Sequence, residues 1–133
     1  MFLQSHLDLT DVKKILDAAV NYAKSKKWDV SVAVVDSGGC LLGSLRMNNA
    51  SPLSSSISFE KAKIAALGQK SSKVFEDMIN NGRTAFLSVR ENVFLEGGIN
   101  IVIDGKTIGA VGVSGVKPNE DAEIAQIAIN SLK

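Results

Sequence analysis

The sequence predicts an α+β domain in which helices cover one antiparallel sheet. Three observations carry this. Two apolar, β-prone segment pairs are joined by glycine-containing turns, Asp36-Ser37-Gly38-Gly39 and Asp104-Gly105. Strands joined by turns that tight must run antiparallel. Three further segments repeat apolar residues at helical spacing. The order is therefore helix, hairpin, helix or helix pair, hairpin, helix, and one sheet covered by helices is its economical solution.

The elements follow in order. Leu9–Lys27 reads as a helix, with Val12, Ile15, Leu16, Ala19, Tyr22 and Ala23 on one stripe. Thr10 or Asp8 can cap its start, and Asp11 suits the positive end of the helix dipole. Lys24, Lys26 and Lys27 could suggest an anion patch, but cations are also favoured at a helix C-terminus, and that explanation is preferred. Asp29–Val35 and Leu41–Met47 form the first hairpin. Asn48–Ser56 carries Pro52 and reads as a loop, with Ser54, Ser55 and Ser56 as N-cap candidates for a helix running to Gly68. Its Ala62, Ala65 and Ala66 predict close approach to a sheet or to another subunit.

A shorter helix is expected over Lys73–Ile79, ended by Asn80-Asn81-Gly82. Thr84–Glu96 fits either a short helix or an irregular loop. Ile99–Ile103 and Thr107–Val113 are the clearest pair in the chain. Gly109, Gly112 and Gly115 fall in or just after the second strand, where glycine marks a bulge or a close backbone approach. Alternation puts Gly109 and Gly112 on opposite faces, so one contact cannot explain both. Asn119–Leu132 is the last helix, with acidic residues at its start.

Composition narrows the function. A chain of 133 residues is one domain of ordinary size. Fifteen Lys and Arg against fourteen Asp and Glu leave a net charge of +1, so no bulk field holds nucleic acid or an anionic membrane. With 5% aromatic residues, a platform for stacking bases is not expected. One Cys excludes an internal disulfide framework and a multi-cysteine zinc site. No signal-peptide pattern or spanning segment is visible, so the expectation is a cytoplasmic protein with Cys40 reduced.

The chemistry-bearing residues are few. Gly109 to Gly115 lacks the dinucleotide spacing and lies within a strand. A serine triad would have to use His6, near the N-terminus. Asp36 suits a role in its own turn, and Cys40 reads as a plain thiol. Glu120, Asp121 and Glu123 are explained by the start of the last helix. His6 is the only imidazole, flanked by Phe2, Leu3 and Leu7, and imidazole is a common axial ligand of haem iron.

Three blocks taken together resemble the GlcG/HbpS-like family. They are Val32-Ala33-Val34-Val35-Asp36-Ser37-Gly38-Gly39 with Arg46-Met47; Ser54 leading to Lys61-Ala62-Lys63-Ile64-Ala65; and Gly97-Gly98, Ile108 to Gly115, then Glu120-Asp121 with Ile124-Ala125. No single block is specific, but their order and spacing cover nearly the whole chain. Ile64 and Asn48-Asn49 depart from the family pattern. The resemblance implies a profilin-like or PAS-like fold with a five-stranded antiparallel sheet, and assembly into homo-oligomers. It also implies haem binding in some members, and in others a place in glycolate, diol or aromatic degradation.

Three functions follow as expectations. In the first, the chain binds haem at a subunit boundary. His6 is the candidate axial ligand to the metal, Met47 or Cys40 are weaker candidates, and Arg46 or Lys61 pair with propionates. In the second, Asp36, Arg46, Glu60 and Lys61 surround a pocket for a small organic acid. Glu60 or Asp36 then acts as acid/base, and Gly112 and Gly115 let backbone amides reach the ligand. In the third, the chain is an oligomeric scaffold without ligand.

Overall fold

The computed structural model describes residues 1–90 and 93–133. Helix α1 spans Leu9–Ser25, strands β1 and β2 span Ser31–Asp36 and Leu41–Arg46, and α2 spans Pro52–Gly68. Helix α3 covers Ser72–Asn80 and a short 3-10 turn covers Thr84–Ser88. The second hairpin is β3 (Gly98–Ile103) with β4 (Lys106–Ser114), and α4 spans Pro118–Asn130.

The four strands form one antiparallel sheet in the order β2-β1-β4-β3. The five strands implied by the resemblance become four among the described residues. Part of the ambiguous Thr84–Glu96 segment is the 3-10 turn, and residues 91 and 92 lie outside the described residues.

Alternation along the strands splits the interior in two. Val32 and Val34 of β1, Ile101 of β3, and Val111 and Val113 of β4 face α1 and α4, packing with Val12, Ile15, Ala19, Ile124, Ala125 and Ala128. Ala33, Val35 and Ala110 face α2, against Ala62, Ala65 and Ala66. A third cluster joins Ile64 to Phe75 of α3 and Phe94, with Phe86 of the 3-10 turn packed on it.

Local signals explain most boundaries. Asp104 and Gly105 both take positive φ, at 51° and 76°, which matches the twist of a two-residue hairpin turn. Asp8 caps α1: its Oδ1 accepts from the Asp11 amide at 2.8 Å, and the Asp11 carboxylate accepts from the Asp8 amide at 3.0 Å. Asp8→Ala removes this reciprocal cap, with an expected cost of about 1 kcal/mol, read as a lower urea midpoint at unchanged slope.

Helix α2 begins earlier than the sequence suggested. Ser51, not Ser54 to Ser56, is the cap, its Oγ accepting from the Ser54 amide at 3.3 Å, and Pro52 occupies the first helical position. Proline is suited there because its missing N–H would have no partner inside the helix. The supposed loop over Asn48–Ser56 is thus a short turn and one helical turn.

Candidate functional site

Most of the residues singled out in the sequence fall into three separate places, and Asp36, Cys40 and Glu60 lie outside all three. The first is the N-terminal segment. It crosses the β3–β4 hairpin, where Gln4 Nε2 donates to the Thr107 carbonyl at 3.2 Å. Leu7 packs into the space left by Gly109, whose β-carbon would lie 2.8 Å from Leu7 Cδ1. His6 lies between these two anchors and is exposed.

A groove of about 460 Å³ beside the segment is lined by Leu3, Gln4, Ser5, Ile103, Asp104 and Lys106. A second, of about 350 Å³, includes Phe2, Val102 and Lys106. Phe2, Leu3, Val102 and Ile103 are all exposed, so this end of the sheet presents apolar side chains beside the segment that carries His6, although His6 itself lines neither groove. Lys106 Nζ sits 4.6 Å from the Phe2 ring centroid, a cation already on that surface. Neither Lys106 nor the hairpin's exposed apolar residues were singled out in the sequence. Their signal was the alternation of β3, which leaves Val102 and Ile103 beside a bulge at the sheet edge.

The second place is a cleft of about 410 Å³ lined by Val20 and Lys24 of α1, Asp29, Leu45, Arg46, Met47, Asn48 and Asn49. It unites Arg46 and Met47 but leaves out His6. His6 precedes α1 and Lys24 is in its last turn, so the rise of the helix separates them by roughly 20 Å. Met47 is partly held by the core, its sulfur accepting the Val30 amide at 3.5 Å.

The third place is the seam between α2 and the sheet. Lys61 is buried. Its Nζ donates to the Val113 carbonyl and to Asp121 Oδ2, each at 3.0 Å, and both side chains of the pair are under 5% exposed. Asp121 Oδ1 accepts the Val116 amide at 3.1 Å. Burial raises the Asp121 pKa above the ordinary carboxylate value, against the opposing pull of Lys61 and the Val116 amide. The pair ties α2, the end of β4 and the start of α4 together. Lys61 is therefore engaged inside the fold and does not reach a propionate from this position. Asp121, read as one of three acids explained by a helix start, instead turns inward.

The glycines belong to the same seam. Gly98 and Gly112 are cross-strand partners, and Gly112 pairs with Ala33 on its other side. This row without large side chains runs beneath α2. A β-carbon on Gly112 would overlap the Ser58 carbonyl oxygen and lie 2.5 Å from the Ala62 nitrogen; one on Gly98 would overlap the Lys61 carbonyl oxygen. The space expected to admit a ligand at Gly112 is filled by helix backbone. Gly115, at φ +144°, turns the chain toward α4 and packs on the backbone of Asp29 and Val30.

The four polar residues expected around an organic-acid pocket do not meet. Arg46 pairs with Ser31 at one end of the β1–β2 hairpin, while Asp36 is at the other. The rise of five strand residues separates them by roughly 17 Å. Asp36 Oδ1 accepts the Gly38 and Cys40 amides, both at 2.9 Å, so its carboxylate shapes its own turn. Glu60 is half-buried on α2 without an ion-pair partner among the described residues. Cys40 is a free, exposed thiol. Among the described residues no three His, Cys, Asp or Glu side chains gather as a metal site.

Comparison with known proteins decides the family. A model described as "Haem degrading protein HbpS-like" matches residues 7–130. The chain belongs to the HbpS-like family. Among curated relatives, Protein GlcG of Escherichia coli K12 is 49% identical over 100 residues, 75% of each chain. Among solved structures, a double mutant of Streptomyces reticuli HbpS superposes with a TM-score of 0.91 at 28% identity, covering 100% of this chain and 91% of that one. A PduOC:haem complex superposes at 0.86 with 29% identity, covering 96% and 95%. The HbpS-like fold is thus a four-stranded sheet here, with α1 and α4 on one face and α2 on the other. None of its described helices is long and apolar enough to cross a membrane.

Proposed function

We propose that this chain binds haem at the N-terminal end of the sheet, with His6 as axial ligand. The observation that carries the reading is the placement of the only imidazole. It is exposed, it lies between two anchored residues, and two grooves of mixed polar and apolar lining flank its segment. The residues fit the chemistry of a haem: one nitrogen donor, exposed Leu3, Phe2 and Ile103 for the macrocycle, and Lys106 for a propionate. The family description and the haem complex of a structural relative support the same reading. Bound haem would supply an iron centre open to axial ligation and electron transfer.

The chain's own residues then have distinct tasks. His6 donates a ring nitrogen. Lys106 offsets the charge of a carboxylate removed from water, the task that Arg46 and Lys61 are too far away or too buried to perform. The apolar residues exclude water from one side only, and a second copy of the chain is the proposed cover for the other.

Haem titration of the apo-protein, read by Soret absorbance, tests this. A saturable band is expected, lost in His6→Ala and weakened in Lys106→Gln. Sizing in parallel is expected to show more than one copy in the haem-loaded species. Absence of a saturable band would overturn haem binding, and a band unchanged in His6→Ala would overturn the assignment of the ligand.

A further inference from the structure

We propose that the cleft between the end of α1 and the end of β2 is a binding site for a small aliphatic α-amino acid, separate from the haem surface. The cleft joins three features that such a ligand needs at once. Lys24 and Arg46 supply two cations, and neither has a carboxylate partner among the described residues, where the ion pairs are Lys61–Asp121 and Lys73–Asp77. Asp29 supplies one anion, also without an ion-pair partner. Val20, Leu45 and Met47 supply an apolar wall.

Unpaired charges of both signs on one small cleft select a zwitterion over a simple anion. A carboxylate between Arg46 and Lys24 gains charge-assisted hydrogen bonds, and Arg46 can offer a planar pair of donors. An ammonium beside Asp29 also lies near the carbonyl end of α1, where positive charge is favoured. A plain acid would leave Asp29 facing the ligand without a partner. A cleft of about 410 Å³ falls in the range of small-molecule sites.

The frame is fixed before any ligand arrives. The Met47 amide donates to the Val30 carbonyl at 3.0 Å, and the Met47 sulfur accepts the Val30 amide. The Ala50 amide closes the next turn on the Met47 carbonyl at 3.0 Å. That turn presents the Asn48 and Asn49 side chains, which make no hydrogen bonds among the described residues and can donate to the carboxylate. The lysine cluster at the end of α1 thus has a task beyond its effect on the helix dipole, through Lys24.

Isothermal titration of the haem-free chain with L-leucine tests the site. Saturable binding is expected, weakened about tenfold or more in Arg46→Gln and in Asp29→Asn. Both residues are on the surface, so the variants are expected to keep the wild-type melting temperature. Isopentylamine, which lacks the carboxylate, and 4-methylpentanoate, which lacks the ammonium, are each expected to bind at least about tenfold more weakly. His6→Ala is expected to leave leucine binding unchanged, which separates this site from the haem reading. No heat of binding at roughly 10 mM leucine would overturn the proposal, as would unchanged affinity in Arg46→Gln and Asp29→Asn. Equal affinity for 4-methylpentanoate would overturn the zwitterion specificity.

Discussion

Gly112→Ala is expected to destabilise the domain by about 3 kcal/mol or more, or to prevent folding at 37 °C. Overpacking of a core often relaxes because side chains change rotamer. That route is closed here. The added carbon meets the Ser58 carbonyl oxygen and the Ala62 nitrogen, both backbone atoms of α2, and the next nearest atom is the Ala62 β-carbon at 3.0 Å, which has no rotamer to change. The helix must lift as a unit, and lifting it separates Ala62, Ala65 and Ala66 from Ala33, Val35 and Ala110. The control is Gly82→Ala, where nothing lies within 4 Å and the cost is that of a positive φ, on the order of 1 kcal/mol. Urea unfolding of the two variants gives the comparison. The same experiment separates packing from ligand approach. A glycine kept for a ligand would tolerate alanine in the apo-protein and lose binding, so a Gly112→Ala stability within about 1 kcal/mol of wild type would refute the packing role.

The parts of this fold that were legible in the sequence are those set by local physics. The Asp104-Gly105 turn needs two residues that tolerate positive φ, and such a pair between apolar runs has few other readings. Helix α1 was legible because one stripe of it is buried. The opposite-face argument for Gly109 and Gly112 also holds, with Leu7 filling the space at one and α2 covering the other.

What escaped is long-range. The start of α2 was placed late because Pro52 and a run of serines look like a loop, while Pro at the first position and Ser51 as cap are equally good helix chemistry. Which polar residues share a neighbourhood escaped for a stronger reason. Arg46 and Asp36 are ten residues apart in sequence and at opposite ends of a hairpin in space. His6 and Lys106, a hundred residues apart, lie at one end of the sheet. Polar residues carry no periodicity that reports their neighbours. One signal was available, though. Ser54, Ser58, Lys61, Ala62 and Ala65 form one stripe of α2, and a lysine within an alanine stripe announces a buried charge in need of a partner.

That buried charge sets the second large effect. Lys61→Met is expected to cost about 3–5 kcal/mol, because it leaves Asp121 buried without its counter-ion and the Val113 carbonyl without its lysine donor. The double variant Lys61→Met with Asp121→Leu is expected to recover most of that loss. The reason lies in the balance at Asp121. Burial raises its pKa despite a lysine at 3.0 Å, so desolvation outweighs the attraction and the ionised carboxylate is less favoured here than in water. The ion pair is thus held in place by the packing around it. Its task is to fix the arrangement of three elements: α2 through Lys61, the end of β4 through Val113, and the start of α4 through Asp121 and Val116. An apolar pair of similar volume can occupy that space, although the Val116 amide then loses its acceptor. Chemical denaturation of both single variants and the double variant closes the thermodynamic cycle. A double variant about as unstable as Lys61→Met alone would show that the pair's own attraction supplies the stability, and one as unstable as the sum of the singles would show no coupling between the two residues; either result would overturn the orphaned-partner account.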